Sequence, residues 1–142
     1  MSHSFFFSNS FKRSLKLLDR KYPHVKDDVR VALRALEQPP QIGTVIPASG
    51  GIRKMRVRNS DAARGKSGGY RLLYVIRADR DLICLLLVYS KSDQSDVDRT
   101  ELIDLLNSLR QDLGEKPVRE EREEYLIDPN IASLQSNPEL AD

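Results

Sequence analysis

Gly65-Lys66-Ser67-Gly68-Gly69-Tyr70-Arg71-Leu72-Leu73-Tyr74 is a glycine-rich loop that runs straight into an apolar stretch carrying one arginine. Gly65-Lys66-Ser67 has the form of the end of a Walker loop, in which backbone amides cradle a phosphate and the last residues open a helix. Two features exclude that reading. The motif needs a glycine five positions before Gly65, where Ser60 stands, and residues 70 to 77 have the composition of a strand. Glycines here supply positive-φ positions in a hairpin loop that joins two antiparallel strands.

On either side of that loop the sequence spells out a small α+β domain. Before it, Ile52-Arg53-Lys54-Met55-Arg56-Val57-Arg58 places Lys54, Arg56 and Arg58 on one face of a strand and Met55 and Val57 on the other. After it, a turn at Ala78-Asp79-Arg80-Asp81 leads into Leu82-Ile83-Cys84-Leu85-Leu86-Leu87-Val88-Tyr89, apolar on both alternations as a covered central strand should be. Toward the N-terminus, residues 4 to 7 suit a short edge strand. A helix follows, capped by Ser8 or Ser10, with its apolar stripe at Phe11, Leu15, Leu18 and Tyr22. A second helix, from about 23 to 37, carries Val25, Val29, Ala32, Leu33 and Leu36, has Asp27 and Asp28 in its first turn, and ends at Pro39-Pro40. Residues 41 to 51 form a loop with a short strand at 44 to 46. A third helix spans about 97 to 113, opened by an Asp98/Glu101 capping box and stopped by Gly114. The fold class is therefore α+β: an N-terminal strand and a helical hairpin packed on a small antiparallel sheet of three or four strands, with a closing C-terminal helix. Residues 1 to 114 make the domain, and residues 115 to 142 an acidic, flexible tail.

The chain has 142 residues, room for a single core. No segment approaches the roughly 20 consecutive apolar residues of a membrane span, and the Phe5-Phe6-Phe7 cluster is too short for a signal peptide, so the expected location is cytoplasmic. The lone Cys84 excludes an intrachain disulfide and sits in an apolar run as core. Two histidines, His3 and His24, with no cysteine cluster, suggest neither a metal site nor a cofactor.

Charge is distributed unevenly. Residues 1 to 114 hold 20 Lys and Arg against 13 Asp and Glu, while residues 115 to 142 hold 3 against 8. Between Ile52 and Arg77 there are eight basic residues and one acid, Asp61, so that segment accounts for the whole excess of the domain. A patch of this kind suits a polyanion such as nucleic acid.

The element order, with Lys54-Met55-Arg56-Val57-Arg58 on one strand and Gly68-Gly69-Tyr70-Arg71-Leu72-Leu73-Tyr74 opening the next, resembles the RelE/ParE toxin superfamily over about residues 4 to 112. Its most specific segments are residues 65 to 71 and Val88-Tyr89-Ser90-Lys91-Ser92-Asp93, which are similar to RelE- and HigB-like toxins of type II toxin–antitoxin pairs. The resemblance implies the RelE-like microbial ribonuclease fold and a ribosome-dependent endoribonuclease that cuts mRNA. Its partners would be the ribosome, mRNA and a cognate antitoxin, a small DNA-binding protein, with no membrane involved. Carried onto this sequence, the RelE pattern matches Lys54 and Arg56 on the first strand of the hairpin, Arg71 on the second and Lys91 beyond the last strand. Ser92 stands where the pattern has an arginine, and Asp98 where it has a tyrosine.

RNA cleavage without a metal needs a base for the 2′-hydroxyl, cations around the phosphate and an acid for the leaving 5′-oxygen. Lys54 is the candidate base, since neighbouring like charges favour a neutral amine. Arg56 and Arg71 are candidates to grip the phosphate oxygens, and Lys91 to hold the phosphate or supply the proton. Arg58, Arg64, Lys66 and Tyr89 are candidate RNA contacts. Tyr70 and Tyr74 read as packing, although Tyr70 or Tyr89 is available in place of the missing family tyrosine. Arg53 and Arg77 read as structural, and His24 as a surface or capping residue. The composite site carries a geometric condition. Arg71 shares a face with Lys54 and Arg56 only if the hairpin pairs an even position with an odd one, such as Arg58 with Arg71. The competing reading on the same fold is ParE-like inhibition of DNA gyrase without catalysis, or a catalytically weak RNA-binding relative.

Overall fold

The computed structural model describes residues 3–62, 69–94 and 96–116. Along them run β1 (Ser4–Phe7), α1 (Asn9–Asp19), α2 (Val25–Leu36), β2 (Thr44–Val45), β3 (Arg53–Val57), β4 (Tyr70–Arg77), β5 (Leu82–Ser90) and α3 (Arg99–Asp112). The strands form one five-stranded sheet in the order β1-β5-β4-β3-β2. The expected antiparallel sheet of three or four strands is thus enlarged and mixed, because β1 lies parallel to β5 with Phe5 opposite Ile83 and Phe7 opposite Leu85. A four-residue apolar run specifies an extended strand, but its partner and direction depend on where α1 and α2 carry the chain.

Ser8, not Ser10, caps α1: its hydroxyl accepts from the Phe11 amide at 3.1 Å. Helices α1 and α2 cover one face of the sheet. Phe11, Leu18, Val25, Val29, Ala32 and Leu36 meet Met55, Val57, Tyr70, Leu72, Tyr74, Ile83, Leu85 and Val88 there. Burying a large apolar side chain of this kind stabilises by roughly 1.5–3 kcal/mol. Tyr74 also ties down the loop before β3. Its hydroxyl donates to the Pro40 carbonyl at 2.7 Å and accepts from the Gly43 amide at 2.8 Å.

One irregularity decides which way the end of β5 faces. Leu73 pairs with Leu87 but Tyr74 pairs with Leu85, leaving Leu86 as the extra residue of a β-bulge. A bulge shifts the alternation by one. Ile83 and Leu85 face the helices before it and Val88 does so after it, which turns Tyr89 to the opposite face beside Arg71. The backbone groups that β1 is too short to reach are satisfied from α1. The Ser10 hydroxyl donates to the Leu86 carbonyl at 2.7 Å, and the Val88 amide donates to the Ser14 hydroxyl at 3.1 Å.

The structure divides after Leu105 into two compact units. In the first, α3 opens with the expected capping box: the Glu101 amide donates to Asp98 at 2.9 Å, and the Asp98 amide to Glu101 at 3.1 Å. In the second, the helix ends at Asp112, and Gly114 takes φ +78° as the stop. Of the residues read as an acidic tail, those from 117 onward lie outside the described residues, as does the loop 63–68.

Candidate functional site

The β3–β4 register brings the cations together. Arg56 pairs with Arg71, and Lys54 with Leu73, so the even-to-odd condition is met. Its particular form differs from the expected Arg58–Arg71 pair by two residues. The last pair is Val57 with Tyr70, after which Gly69 turns away at φ +52°, where an added Cβ would stand 2.6 Å from the Val57 carbonyl oxygen. Arg58 therefore lies just past the strand, exposed. On β5, Tyr89 is the partner of Arg71. Residues paired across strands share a face, so Arg56, Arg71 and Tyr89 form a row across three strands, with Lys54 on the same face one step along β3.

Arg56 is exposed, whereas Arg71 is half-buried and its guanidinium donates to the Tyr70 carbonyl at 3.3 Å. Tyr89 is only 3 % exposed. Burial, followed by the charge of Asp96 and the hydrogen bond to it, pushes its hydroxyl up to about 12, with Arg71 acting in the opposite sense. Tyr89 is therefore a neutral hydrogen-bond donor at physiological pH.

Asp96 completes the cluster and escaped the sequence reading. Its Oδ1 lies 3.1 Å from the Lys91 Nζ, 3.6 Å from the Lys54 Nζ and 3.3 Å from the Tyr89 hydroxyl. The hydrogen bond from Lys91, then the charges of Lys54 and Lys91, hold its carboxyl below the usual carboxylate range. The lysines thus face a carboxylate as well as each other, which offsets the like-charge repulsion expected at Lys54. No periodicity or motif marks Asp96. The available signal is an acid a few residues past the strand that ends in Tyr89-Ser90-Lys91.

Other candidates divide clearly. Arg64 and Lys66 lie outside the described residues. Tyr70 faces the helices, edge-on to Tyr22 at 5.6 Å, and so stays apart from the cationic row. Its hydroxyl is fully buried without a hydrogen-bond partner among the described residues, and burial raises its pKa far above the ordinary value. Arg53 donates to the Gly43 carbonyl at 2.7 Å, and Arg77 pairs with Asp79 at 2.9 Å. His24 hydrogen-bonds Asp61 at 2.6 Å, on the loop that leaves β3. At the positions where the RelE pattern departs, Ser92 bonds the Ser90 hydroxyl at 3.0 Å and Asp98 caps α3. Among the described residues no group of three or more His, Cys, Asp or Glu gathers to hold a metal ion, and no helix is long and apolar enough to cross a membrane.

Among solved structures, the chain is similar to the E. coli toxin RelE, as a double arginine-to-alanine variant in the free state. The TM-score is 0.53 at 21% sequence identity, covering 73% of this chain and 97% of that one. That likeness establishes the RelE-like fold. Residues 5–95 match the family model described as the ParE toxin of the type II toxin–antitoxin system parDE, and the chain belongs to this family within the RelE/ParE superfamily.

Proposed function

We propose that this toxin is an endoribonuclease that cuts mRNA on the ribosome without a metal, using the face that carries Lys54, Arg56, Arg71, Tyr89 and Lys91. The observation that carries the reading is the direct pairing of Arg56 with Arg71. Like charges opposite each other on a sheet destabilise it, and a solvated face has no reason to keep them there. A phosphate bound between two guanidinium groups turns that repulsion into attraction, since each guanidinium presents a planar fork of donors.

In the proposed reaction the 2′-oxygen attacks phosphorus as Lys54 takes its proton. Arg56 and Arg71 stabilise the added charge on the phosphoryl oxygens. The bond from phosphorus to the 5′-oxygen breaks as Lys91 supplies a proton, leaving a cyclic phosphate and a free 5′-hydroxyl. One preorganised donor aimed at developing charge contributes roughly 3–4 kcal/mol, and placed proton transfer about 10²- to 10⁴-fold. Arg58 extends the basic surface for flanking RNA, and Arg64 and Lys66, outside the described residues, are further candidate RNA contacts. A toxin of a type II pair has a cognate antitoxin as partner, and under this reading the antitoxin keeps the cationic face from RNA.

The match to a ParE model favours one second reading, inhibition of DNA gyrase without catalysis. Inducing the chain in cells and mapping mRNA ends separates the two. Cuts within translated codons that vanish in the Arg71→Ala, Lys54→Ala double variant support the nuclease. An SOS response with intact messages overturns it in favour of gyrase inhibition.

A further inference from the structure

We propose that Lys54, Lys91 and Tyr89 form a phosphate-oxygen subsite in which Asp96 Oδ1 stands as an internal substitute anion, displaced when a phosphodiester binds. The inference takes from the proposed function only that the ligand is a polyanion; whether the bound strand is cut is a separate matter.

A single oxygen, Asp96 Oδ1, draws all three donors to itself, at 3.1, 3.6 and 3.3 Å. Two ammonium groups and a hydroxyl converging on one anionic oxygen is the arrangement that a non-bridging phosphate oxygen requires. The hydroxyl is fixed by the sheet, because the β5 bulge and the pairing with Arg71 aim buried Tyr89 at this point. Asp96 is the movable member. Its side chain is 57 % exposed, and ion pairs that open to solvent are weak.

Both chain anchors around it are made by other residues. On the strand side, Asp93 accepts from Lys21 at 2.8 Å and from the Tyr22 hydroxyl at 3.4 Å, and its amide donates to the Ser90 carbonyl at 3.0 Å. On the helix side, Asp98 is held in the capping box of α3. Asp96 lies between these two fixed points, so its carboxylate can leave the lysines while β5 and α3 stay intact. A phosphodiester offers two anionic oxygens to the face, one for this subsite and one for the Arg56–Arg71 pair, and so outcompetes one carboxylate. As long as Asp96 is seated, it screens the face from weakly bound anions.

The test is an NMR titration of the full chain with inorganic phosphate. In the wild type, the signals of Tyr89, Lys91 and Asp96 should move together and saturate. Asp96→Asn, which keeps the shape and removes the charge, should bind phosphate about three- to tenfold more tightly. Asp93→Asn removes an equal charge at the strand-side anchor and should leave affinity within about twofold. Lys54→Ala, Lys91→Ala should lose binding whether or not Asp96 is present. Unchanged or weaker phosphate binding by Asp96→Asn overturns the proposal, as does a wild-type titration in which Tyr89 responds and Asp96 does not. If the phosphate results hold while no mRNA cleavage is found, the nuclease reading fails and this subsite stands.

Discussion

On the helix-covered side of the sheet, Met55, Val57, Tyr70, Leu72, Tyr74 and Val88 are buried among the side chains of α1 and α2. One residue along the same three strands, Lys54, Arg56, Arg71 and Tyr89 turn to the other side. The cross-strand pairs reveal the difference. Met55 opposite Leu72 is a pair in which each partner helps bury the other, whereas Arg56 opposite Arg71 is a pair that each partner weakens. Farther along, the second face is apolar as well, with Leu73, Val75 and Cys84 buried, so the charge is confined to the end of the sheet near Gly69. Apolar burial on both faces stabilises the fold, and the charged end of the second face draws on that stability to hold like charges together.

The sharpest way to break this comparison is to cut into both faces and measure stability. Leu72→Ala empties a fully buried position and should cost about 2–5 kcal/mol by chemical denaturation. Arg56→Ala removes an exposed like-charge neighbour and should stay within about 0.5 kcal/mol of wild type. A comparable loss from the two would mean that Arg56 is part of the scaffold. Activity should show the reverse. Under the nuclease reading, Arg71→Ala and Arg56→Ala should each lower cleavage of ribosome-bound mRNA by about 10²- to 10³-fold. Leu72→Ala, assayed where it is still folded, should cut at a rate near wild type. Full cleavage by Arg71→Ala would remove this face from the reaction.

How far the amino-acid order alone foretold these faces depends on the range of the signal. Local patterns carried well: the Lys54/Arg56 and Met55/Val57 alternation, the bounds of β4, and the Asp98/Glu101 cap all follow from spacings within one element. The parity of the hairpin register stayed a condition, because β4 is apolar on both alternations, with Leu72 and Tyr74 on one face and Leu73 and Val75 on the other, and either parity buries apolar residues. What lay beyond reach depends on distant partners. The parallel β1–β5 pairing, the Leu86 bulge that re-aims Tyr89, and the gathering of Lys54, Lys91 and Tyr89 around Asp96 each join residues with no local pattern in common. In an all-apolar run such as Leu82 to Val88, a shift of one residue leaves the pattern unchanged, so the bulge was invisible there.

Gly69 is where the two faces are kept in step, and its substitution is a more moderate test. At φ +52°, with the Val57 carbonyl oxygen 2.6 Å from where an alanine methyl would stand, Gly69→Ala incurs both backbone strain and a clash. We expect a loss of about 1–3 kcal/mol. Because the Lys91 amide donates to the Gly69 carbonyl at 3.0 Å, the change should also disturb the cationic face. A neutral result in both assays would show that the register is set elsewhere, by the Tyr74 and Arg53 contacts at the far end of the hairpin.

The smallest expected effect compares the carboxylates at the two rims of the sheet. Asp96 faces lysines, while Asp61 faces His24, at 2.6 Å through its side chain and at 2.8 Å through its backbone amide. The hydrogen bond that the ring donates to Asp61, then the charge of Asp61, raises His24 above its ordinary value of 6.5. The same contact, together with the His24 backbone bond, lowers Asp61 below 3.8. A raised histidine contributes stability that is fully present below 6.5 and fades as pH rises through the folded value. A depressed carboxylate contributes above 3.8 and fades as pH falls through its own lower folded value. The clasp is thus strongest between those limits. His24→Asn should narrow the stability gap to wild type as pH is raised from about 5 to about 9, with the helix-covered face otherwise unaltered. Asp96→Asn should show no change over that interval, since the Asp96 carboxyl, held below the usual carboxylate range, stays ionised throughout it. A gap for His24→Asn that stays constant with pH would mean that the imidazole serves only as a neutral hydrogen-bonding partner, and that neither rim of the sheet responds to pH near neutrality.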